Sequence, residues 1–451
     1  MFTRVLIANR GEVAVRIIRA CRELGVEAVA VYSTADRDAL HVRLADQAVH
    51  IGPPPPADSY LKIPSIIAAG TTTGCDAVHP GWGFLAENAA FAAACEDNDL
   101  VFIGPRPDTI ETMGDKVAAK ATMAAAGLPL VPGSNGATGF SQAQELAQEI
   151  GFPVLLKAAA GGGGRGMRLV ESPADLEAAF QTAASEAQAA FSDGSLYVEK
   201  AVVGARHVEI QVLGDGEGGV LTLGERDCSI QRRHQKLVEE APSPAVFDSL
   251  RAEMEDAARR ACETLRYRGA GTLEFLLDAE GRFSFIEMNT RLQVEHPVTE
   301  LVTGIDVVRA QLGVAAEEGL PAEGAVPLRG HAIEFRINAE DPTRDFVPAP
   351  GTIARFQPPL GPGVRVDTHV FDGYTVPPFY DSLLAKIIVW AEDRPAAIAR
   401  ARRALSEFEL EGLPTTKALA MDVIETEGFT SGAYTTAFLG EADLAALGGN
   451  S

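Results

Sequence analysis

Residues 271–289 read G-T-L-E-F-L-L-D-A-E-G-R-F-S-F-I-E-M-N, and their alternation of apolar and polar side chains is typical of a β-hairpin. A two-residue turn of Glu280 and Gly281 places Glu274 directly opposite Glu287 on one face of the hairpin. The same register predicts two further pairs across the strands, Leu276 with Phe285 and Asp278 with Phe283.

Two carboxylates that face each other across a hairpin repel unless a cation lies between them. Asn289 lies two residues beyond Glu287 and therefore shares its face. Carboxylate and amide oxygens are hard ligands that suit Mg²⁺ or Mn²⁺, with phosphate oxygens completing the coordination. The hairpin thus predicts a metal site of Glu274, Glu287 and Asn289; the alternative is a pair of solvated surface charges.

Beyond the hairpin the polar alternation continues. If the chain stays extended, one face carries Glu287, Asn289, Arg291, Gln293 and Glu295. Arg291 is suited to clamp a small oxyanion, and Glu295 is suited to accept a proton. We expect His296 and Pro297 to end the strand, with His296 in a structural role.

Residues 224–236, G-E-R-D-C-S-I-Q-R-R-H-Q-K, concentrate basic side chains in an otherwise acidic chain: Arg226, Arg232, Arg233, His234 and Lys236. A solvated charged loop is one interpretation, and anion binding beside the predicted metal site is the other. Cys228 has no identifiable neighbouring base and is interpreted as a buried filler. Arg336, which alternates with Glu334, is interpreted on local pattern alone as one half of a surface ion pair.

A glycine-rich segment follows a predicted strand that ends at Lys157. The four glycines at 161–164 are able to turn backbone N–H groups toward an anion, and Lys157 and Arg165 flank them. The glycines lie between two strands and no G-K-[ST] follows, so the segment is not a P-loop. The sequence favours phosphate binding here over a flexible surface turn.

The first hundred residues alternate predicted strands and helices, which indicates βαβ units and a parallel sheet. The first turn, A-N-R-G-E, lacks G-x-G-x-x-G, so a dinucleotide site is disfavoured. At 451 residues the chain has room for about three domains or two large ones.

Composition excludes several classes of protein. The formal net charge of −23 argues against a general binder of nucleic acid or of anionic membranes. Five scattered cysteines without a C-x-x-C pair argue against a disulfide scaffold and a cysteine zinc site, and fit a reducing compartment. No apolar run approaches the span of a bilayer, and no signal peptide is evident, so we expect a cytoplasmic protein.

Seven motifs in order resemble the biotin carboxylase family, the ATP-grasp component of biotin-dependent carboxylases: I-A-N-R-G-E, H-P-G-W-G-F-L-A-E-N, M-G-D-K, K-A-A-A-G-G-G-G-R-G-M, E-R-D-C-S-I-Q-R-R-H-Q-K, E-M-N-T-R-L-Q-V-E-H-P-V-T-E and R-I-N-A-E-D. They cover the chain to about residue 440. The resemblance implies a mixed α/β and α+β fold. Its expected domains are a Rossmann-like N-terminal domain (1–112), an ATP-grasp domain (113–328, mobile lid about 131–203) and a C-terminal domain (329–445).

The resemblance also implies roles for individual residues. ATP would be bound by Lys116, Lys157, Gly163, Gly164, Glu199, Lys200, Val202, His207, Gln231 and His234, together with the metal ligands Glu274 and Glu287. Magnesium or manganese would be held by Glu274, Glu287 and Asn289, and bicarbonate by Lys236, Arg291, Gln293 and Val294. Glu295 would be the base that deprotonates bicarbonate, and Arg336 would stabilise the biotin enolate. This role replaces the surface pair inferred for Arg336 from local pattern.

The implied reaction begins when bicarbonate attacks the γ-phosphoryl group of Mg-ATP to give carboxyphosphate and ADP. Carboxyphosphate breaks down to CO₂ and phosphate, phosphate removes the N1 proton of biotin, and the enolate captures CO₂. A closing lid is expected because carboxyphosphate would hydrolyse in bulk water. The basic residues of the site would then converge as a local positive pocket: Lys116, Lys157, Arg165, Arg232, Arg233, Lys236, Arg291 and Arg336.

The chain departs from the family pattern at two positions near the site. Trp82 stands where bacterial members usually have Tyr, which bears on the biotin pocket, and Ala160 replaces a frequent glycine. No A-M-K-M biotinylation motif is present, so the expected partners are a separate biotin carboxyl carrier protein and carboxyltransferase subunits. A homodimer is also expected, since Arg19, Glu23 and Arg365 resemble its interface, although Pro362 lies where an aromatic residue is common.

Acetyl- or acyl-CoA carboxylation in fatty-acid synthesis is the expected pathway. A component of a propionyl-CoA, pyruvate or urea carboxylase is the alternative within the same chemistry. A non-catalytic ATP-grasp scaffold is the alternative from another class, and the retained polar residues disfavour it: Lys236, Glu274, Glu287, Arg291, Glu295 and Arg336.

Overall fold

The computed structural model describes residues 1–134, 136–159, 167–233 and 235–441. Its first part alternates strands and helices: β1 (Arg4–Ile7), α1 (Gly11–Glu23), β2 (Glu27–Ser33), α2 (Leu40–Leu44), β3 (Gln47–Gly52), α3 (Ile63–Thr73), β4 (Ala77–His79), α4 (Ala89–Glu96), β5 (Val101–Phe102) and α5 (Pro107–Gly114). The strands form one parallel sheet in the order β3-β2-β1-β4-β5. The predicted parallel sheet of βαβ units is confirmed.

The second part is a small layered unit: α6 (Lys116–Ala125), α7 (Phe140–Ile150), β6 (Val154–Ala158), β7 (Met167–Val170), α8 (Leu176–Phe191) and β8 (Leu196–Lys200). An antiparallel sheet in the order β7-β6-β8 carries α7 and α8 over a core of its own, which includes Ala143, Ala147, Leu156 and Val198. Residues 160–166, with the four glycines and Arg165, lie outside the described residues.

The remaining elements centre on a large sheet: β9 (Arg206–Asp215), β10 (Val220–Arg232), β11 (Gln235–Ala241), α9 (Asp248–Thr264), β12 (Arg268–Leu277), β13 (Phe283–Asn289), α10 (His296–Thr303), α11 (Val307–Ala315), β14 (His331–Asn338), β15 (Glu340–Asp341), β16 (Val347–Pro348), β17 (Gly351–Thr352), β18 (Arg355–Gln357), β19 (Val364–Thr368), β20 (Thr375–Val376), β21 (Leu383–Ala391), α12 (Arg394–Glu407), β22 (Glu409–Glu411), α13 (Lys417–Val423), α14 (Glu427–Ser431) and α15 (Phe438–Glu441). Eight strands form an antiparallel sheet in the order β13-β12-β9-β10-β11-β14-β21-β19. The pairing of β11 with β14 carries this sheet across the predicted domain boundary at 328.

The two faces of this sheet have different chemistry because side chains alternate along each strand. In β14, Ile333, Phe335 and Ile337 enter the apolar core that α12 and α13 cover. Glu334 and Arg336 therefore face the other way, toward the N-terminal part. The same alternation places on that face the polar side chains of β9 and β12, namely His207, Glu209, Gln211, Thr272 and Glu274.

The hairpin of β12 and β13 pairs Glu274 with Glu287 as predicted, but its turn is different. Three residues, 279–281, form the loop, and Gly281 takes the positive φ of +80° that such loops require. A β-bulge next to Glu274 then shifts the register by one residue. The predicted pairs Leu276–Phe285 and Asp278–Phe283 are wrong: the structure pairs Leu276 with Ser284, Phe275 with Phe285 and Leu277 with Phe283.

One further local prediction is wrong, and one of the two interpretations of the basic run is excluded. Strand β13 ends at Asn289, and residues 290–295 form an irregular connection to α10, which His296 begins. Pro297 fits there because the first turn of a helix needs no N–H donor from it. The basic run at 224–236 is not a solvated loop: most of it belongs to β10 and β11, and Arg226 is fully buried.

Candidate active site

One ammonium group gathers three carboxylates at the centre of the polar face. Lys236 Nζ donates to Glu209 Oε2 at 2.6 Å, to Glu274 Oε1 at 2.9 Å and to Glu295 Oε1 at 2.7 Å. All three glutamates are buried. Burial opposes the charge on Lys236, but the surrounding acidic groups raise the pKa of Lys236 well above its ordinary value. Lys236 therefore stays charged at neutral pH.

A second cation, the guanidinium of Arg226, contacts this cluster through Glu209. The guanidinium of Arg226 is fully buried and donates to four partners: Glu209 Oε1 at 2.5 Å, Gln211 Oε1 at 2.7 Å, Thr299 Oγ1 at 3.0 Å and Thr272 Oγ1 at 3.1 Å. Glu209 is thus held between Lys236 and Arg226. Sequence reasoning missed Glu209, although its alternation with Val208 and Ile210 is a usable signal of a polar strand face.

The facing glutamates of the hairpin lie in unequal surroundings. Glu274 is buried, accepts from Asn289 Nδ2 at 2.9 Å, and has His207 Nε2 at 2.8 Å from its Oε2. Burial opposes ionisation, but Lys236 and His207 hold the pKa of Glu274 below its ordinary value. Glu287 is exposed by its surface area, and its pKa is raised, first because the surrounding protein removes water from the carboxylate and then because Glu274 repels its charge. A divalent cation bound at this pair would relieve that repulsion.

Glu295 accepts from two cations that come from different strands. Its Oε1 accepts from Lys236, and its Oε2 accepts from Arg336 Nη2 at 2.9 Å. Arg336 also donates through Nε to Glu239 Oε1 at 2.5 Å. The surface ion pair inferred for Arg336 from local pattern is therefore wrong. Burial opposes ionisation of Glu295, yet Lys236 and Arg336 hold its pKa well below the ordinary range, so it is ionised at neutral pH.

Arg291 is oriented by a residue that sequence reasoning did not identify. Glu87, from the N-terminal part, accepts from Arg291 Nε at 2.8 Å and from the Thr290 backbone N–H at 3.0 Å. The rest of the guanidinium donates to Asn289 Oδ1 at 2.8 Å and Gln293 Oε1 at 3.0 Å. Glu87, which precedes Arg291 by 204 residues in the sequence, thus holds the Arg291 side chain beside the hairpin.

The predicted nucleotide residues that the structure describes lie on the small layered unit and on or near the adjoining strands. Lys157 and Lys120 both donate to the buried carboxylate of Glu199, and Lys120 was not predicted. Lys200 donates to the backbone carbonyls of Gly151 at 3.1 Å and Phe152 at 2.9 Å. Burial lowers the pKa of Lys116. Of the remaining predicted residues, His207 Nδ1 lies 3.3 Å from Gln231 Oε1, Val202 is half-buried, and Gly163, Gly164 and His234 lie outside the described residues.

Other predicted residues have defined partners. Arg232 and Arg233 both ion pair with Asp345, and the Arg232 guanidinium lies 4.1 Å from the centre of the Phe346 ring. Trp82 Nε1 donates to Glu12 Oε1 at 3.0 Å. Cys228 is buried, and its Sγ lies 3.8 Å from Glu295 Oε1, so the expectation that no base lies beside it is wrong; burial raises the pKa of its thiol well above the ordinary value.

Three family models match consecutive parts of the chain. The biotin carboxylase N-terminal domain matches residues 1–110, the carbamoyl-phosphate synthase L chain ATP-binding domain matches residues 115–323, and the biotin carboxylase C-terminal domain matches residues 334–441. The chain belongs to the biotin carboxylase family. It is therefore an enzyme, an ATP-dependent ligase that carboxylates biotin.

Individual relatives agree with this assignment. The biotin carboxylase of Nostoc sp. is 56% identical over 98% of this chain and 99% of its own. A biotin carboxylase from Campylobacter jejuni, solved as a β,γ-ATP complex, superposes with a TM-score of 0.94 at 48% identity over 98% of this chain and 99% of that one. The biotin carboxylase domain dimer of Hydrogenobacter thermophilus 2-oxoglutarate carboxylase, solved with MgADP, ADP and bicarbonate, gives 0.93 at 47% identity over 98% of each chain.

No helix in the described part of the chain is long and apolar enough to cross a bilayer.

A first prediction concerns the buried Arg226. Replacing Arg226 with Met removes four hydrogen bonds and one of the two cations beside Glu209, so we expect a loss of about 3–5 kcal/mol in unfolding free energy. Arg282→Met is the matched control, since that arginine is 75% exposed, and its effect should stay below about 1 kcal/mol. Urea denaturation followed by fluorescence measures both. Equal shifts for the two variants would contradict the structural role of Arg226.

A second prediction concerns Glu334, which is fully buried and lies across from Glu239 in the sheet. Among the described residues, neither oxygen of Glu334 has a hydrogen-bond partner. Burial, reinforced by Glu239 and opposed by Lys386, raises the pKa of Glu334 well above its ordinary value, so we expect a neutral acid.

Because the folded chain holds this proton more tightly than the unfolded chain, its contribution to stability falls as pH rises above the unfolded pKa of about 4.3. Glu334→Gln, which is neutral at every pH, should gain stability relative to wild type as pH increases. The measurement is the denaturation midpoint across pH, with the exposed Glu253→Gln as control. Parallel curves for wild type and Glu334→Gln would refute a protonated Glu334.

Proposed function

We propose that this chain carries out the first half-reaction of an acetyl- or acyl-CoA carboxylase, in which N1 of biotin on a separate carrier protein is carboxylated at the expense of ATP and bicarbonate. The observation that carries the proposal is the cluster of Lys236, Glu295 and Arg336. It places an ionised carboxylate between two cations from neighbouring strands, beside a pair of glutamates suited to a metal.

Bicarbonate is proposed to bind between Lys236 and Arg291, with Gln293 and Val294 completing its site. Two cations at one site suit a small oxyanion, because they neutralise it and orient its oxygens. Bicarbonate would compete with Glu295 for the Lys236 ammonium. A carboxylate that loses part of its cation contact becomes more basic, so binding itself would prepare Glu295 to take the proton.

ATP is proposed to lie between the small layered unit and the large sheet. Its phosphates would be bound by Lys116, Lys157, Gly163 and Gly164, and the rest of the nucleotide by Glu199, Lys200, Val202, His207, Gln231 and His234. Glu274, Glu287 and Asn289 would hold Mg²⁺ or Mn²⁺. Glu287 fits because its side chain is exposed, whereas the amide oxygen of Asn289 now accepts from Arg291 and would have to leave that contact. A bound metal supplies charge neutralisation to the transferring phosphoryl group.

The enolate of biotin is proposed to be stabilised by Arg336, with Trp82 on the biotin side of the pocket. Glu239 and Glu295 hold the Arg336 guanidinium in place before any ligand arrives. A donor that is oriented in advance stabilises developing negative charge without a cost of reorganisation. This supports a catalytic role for Arg336 rather than a structural one.

The proposed surroundings follow from the same family. We propose domains at residues 1–112, 113–328 and 329–445, a lid at about 131–203, a cytoplasmic location, and a biotin carboxyl carrier protein and carboxyltransferase subunits as partners. We also propose a homodimer that uses the faces near Arg19, Glu23 and Arg365. In the monomer, Arg365 donates to Glu300 at 2.6 Å and to Asp367 at 2.8 Å. Sedimentation across concentration tests the dimer.

A carboxylase of a different acceptor is the second candidate, and the similarity to the biotin carboxylase domain of a 2-oxoglutarate carboxylase supports it. Propionyl-CoA, pyruvate and urea are further acceptors to test. Co-purification with a biotinylated partner, followed by assays with acetyl-CoA, propionyl-CoA, pyruvate and 2-oxoglutarate, separates these possibilities. A non-catalytic scaffold would give no bicarbonate-dependent ATP turnover.

The third prediction separates the two halves of the reaction. Arg336→Lys should lower the rate of biotin carboxylation by about 10²–10³, because the enolate loses an oriented donor. Bicarbonate-dependent ATP hydrolysis without biotin should change far less. Free biotin and a coupled ADP assay measure both activities.

Arg394→Lys is the matched control, since Arg394 also clamps a buried carboxylate, Glu240, but from α12. Its two activities should stay close to wild type. ATP turnover in the wild type that does not depend on bicarbonate would overturn the proposed function. Equal losses of both activities in Arg336→Lys would overturn only the proposed role of Arg336 and would leave the proposed function standing.

A further inference from the structure

Lys386 is a fully buried lysine beside the site, on strand β21. Its ammonium donates to the backbone carbonyl of Val294 at 2.8 Å. It also lies 3.2 Å from Glu12 Oε2 and 3.7 Å from Asp367 Oδ2. A buried ammonium is costly unless it is paired and hydrogen-bonded, and these three contacts meet that requirement.

These contacts connect three parts of the chain. Glu12 lies in α1 of the N-terminal part, Lys386 lies in the C-terminal part, and Val294 lies in the connection between β13 and α10. The other oxygen of Glu12 accepts from Trp82 Nε1 at 3.0 Å. An unbroken series of polar contacts therefore runs from the Trp82 indole through Glu12 and Lys386 to the carbonyl of Val294.

The Val294 carbonyl belongs to the peptide bond that leads into Glu295. Glu295 precedes the first residue of α10, and its side chain contacts Lys236 and Arg336. The connection at 290–295 is irregular, so no strand pairing holds it in place. Lys386 supplies a fixed donor at this point, and Glu87 holds the other end at Thr290.

We propose that Lys386 and Glu12 are positioning residues that hold the peptide bond between Val294 and Glu295 at a fixed position relative to the Trp82 indole. The inference rests on the proposed function, in which Val294 and Glu295 serve bicarbonate and Trp82 faces biotin. It assigns a use to the departure at position 82, since the indole N–H donates to Glu12. This series of contacts sets the distance between the place where CO₂ forms and the biotin that accepts it. A misplacement of about 1 Å costs about 10²-fold in rate.

The fourth prediction tests Lys386 directly. Lys386→Met keeps an unbranched side chain and removes the donor, so the KM for bicarbonate should rise by about tenfold or more, while the KM for ATP stays within about twofold. Lys417→Met is the matched control, because Lys417 also donates to a backbone carbonyl, that of Phe408, away from the site. A purely structural role predicts lower thermal stability for both variants with no selective change in the KM for bicarbonate.

Trp82→Phe provides a second, milder test, since it keeps an aromatic ring and removes only the N–H. The KM for bicarbonate should rise about threefold or more, although Trp82 is proposed to face biotin. In the double variant the two effects should be non-additive, because they act through one series of contacts. If Lys386→Met does not fold, Trp82→Phe alone decides, and an unchanged KM for bicarbonate overturns the inference.

Two failures remain distinguishable. Wild-type ATP turnover that is independent of bicarbonate would overturn the proposed function. Bicarbonate-dependent wild type, with Lys386→Met and Lys417→Met indistinguishable or with fully additive effects in the double variant, would overturn the positioning role and leave the proposed function standing.

Discussion

The ammonium group of Lys236 is the interaction on which the site depends. Three buried carboxylates, those of Glu209, Glu274 and Glu295, come from three different segments and would repel one another without it. Buried charges persist only when they are paired and hydrogen-bonded, so each of these glutamates also has a further polar partner. The two strands and the irregular connection that carry them are thereby held in one arrangement before any ligand binds.

The pairing of acidic and basic side chains at the site also explains how a chain of net negative charge can bind anions. The net charge of −23 is a sum over the whole chain, whereas anion binding depends on a few cations at the site. Among the described residues, the cations at the centre of the site are paired with carboxylates: Lys236 with Glu209, Glu274 and Glu295, and Arg336 with Glu239 and Glu295. An arriving anion would exchange places with a carboxylate, which makes the protonation of the site responsive to the substrate.

The hairpin shows both the reach and the limit of local pattern. Alternation predicted that Glu274 faces Glu287, and it does, but a three-residue turn and a bulge replace the simple register. The longer turn and the bulge shift the register by one residue in opposite directions. The predicted pairing is therefore restored at Glu274, whereas the predicted pairs between the bulge and the turn were wrong. The extension of the strand to Glu295 failed because the chain leaves the sheet after Asn289 to begin α10.

The sequence by itself determined the parallel sheet of the N-terminal part, the family and the facing glutamates, because these follow from short-range periodicity and from spaced motifs. Only the tertiary structure decided which partner each charged side chain takes. Arg336 contacts Glu239 and Glu295 rather than its neighbour Glu334, Arg291 contacts Glu87, and Lys386 contacts Glu12 and Val294. Periodicity tells which face of a strand a residue occupies, but the order of strands in the sheet and the packing of distant segments choose what lies opposite.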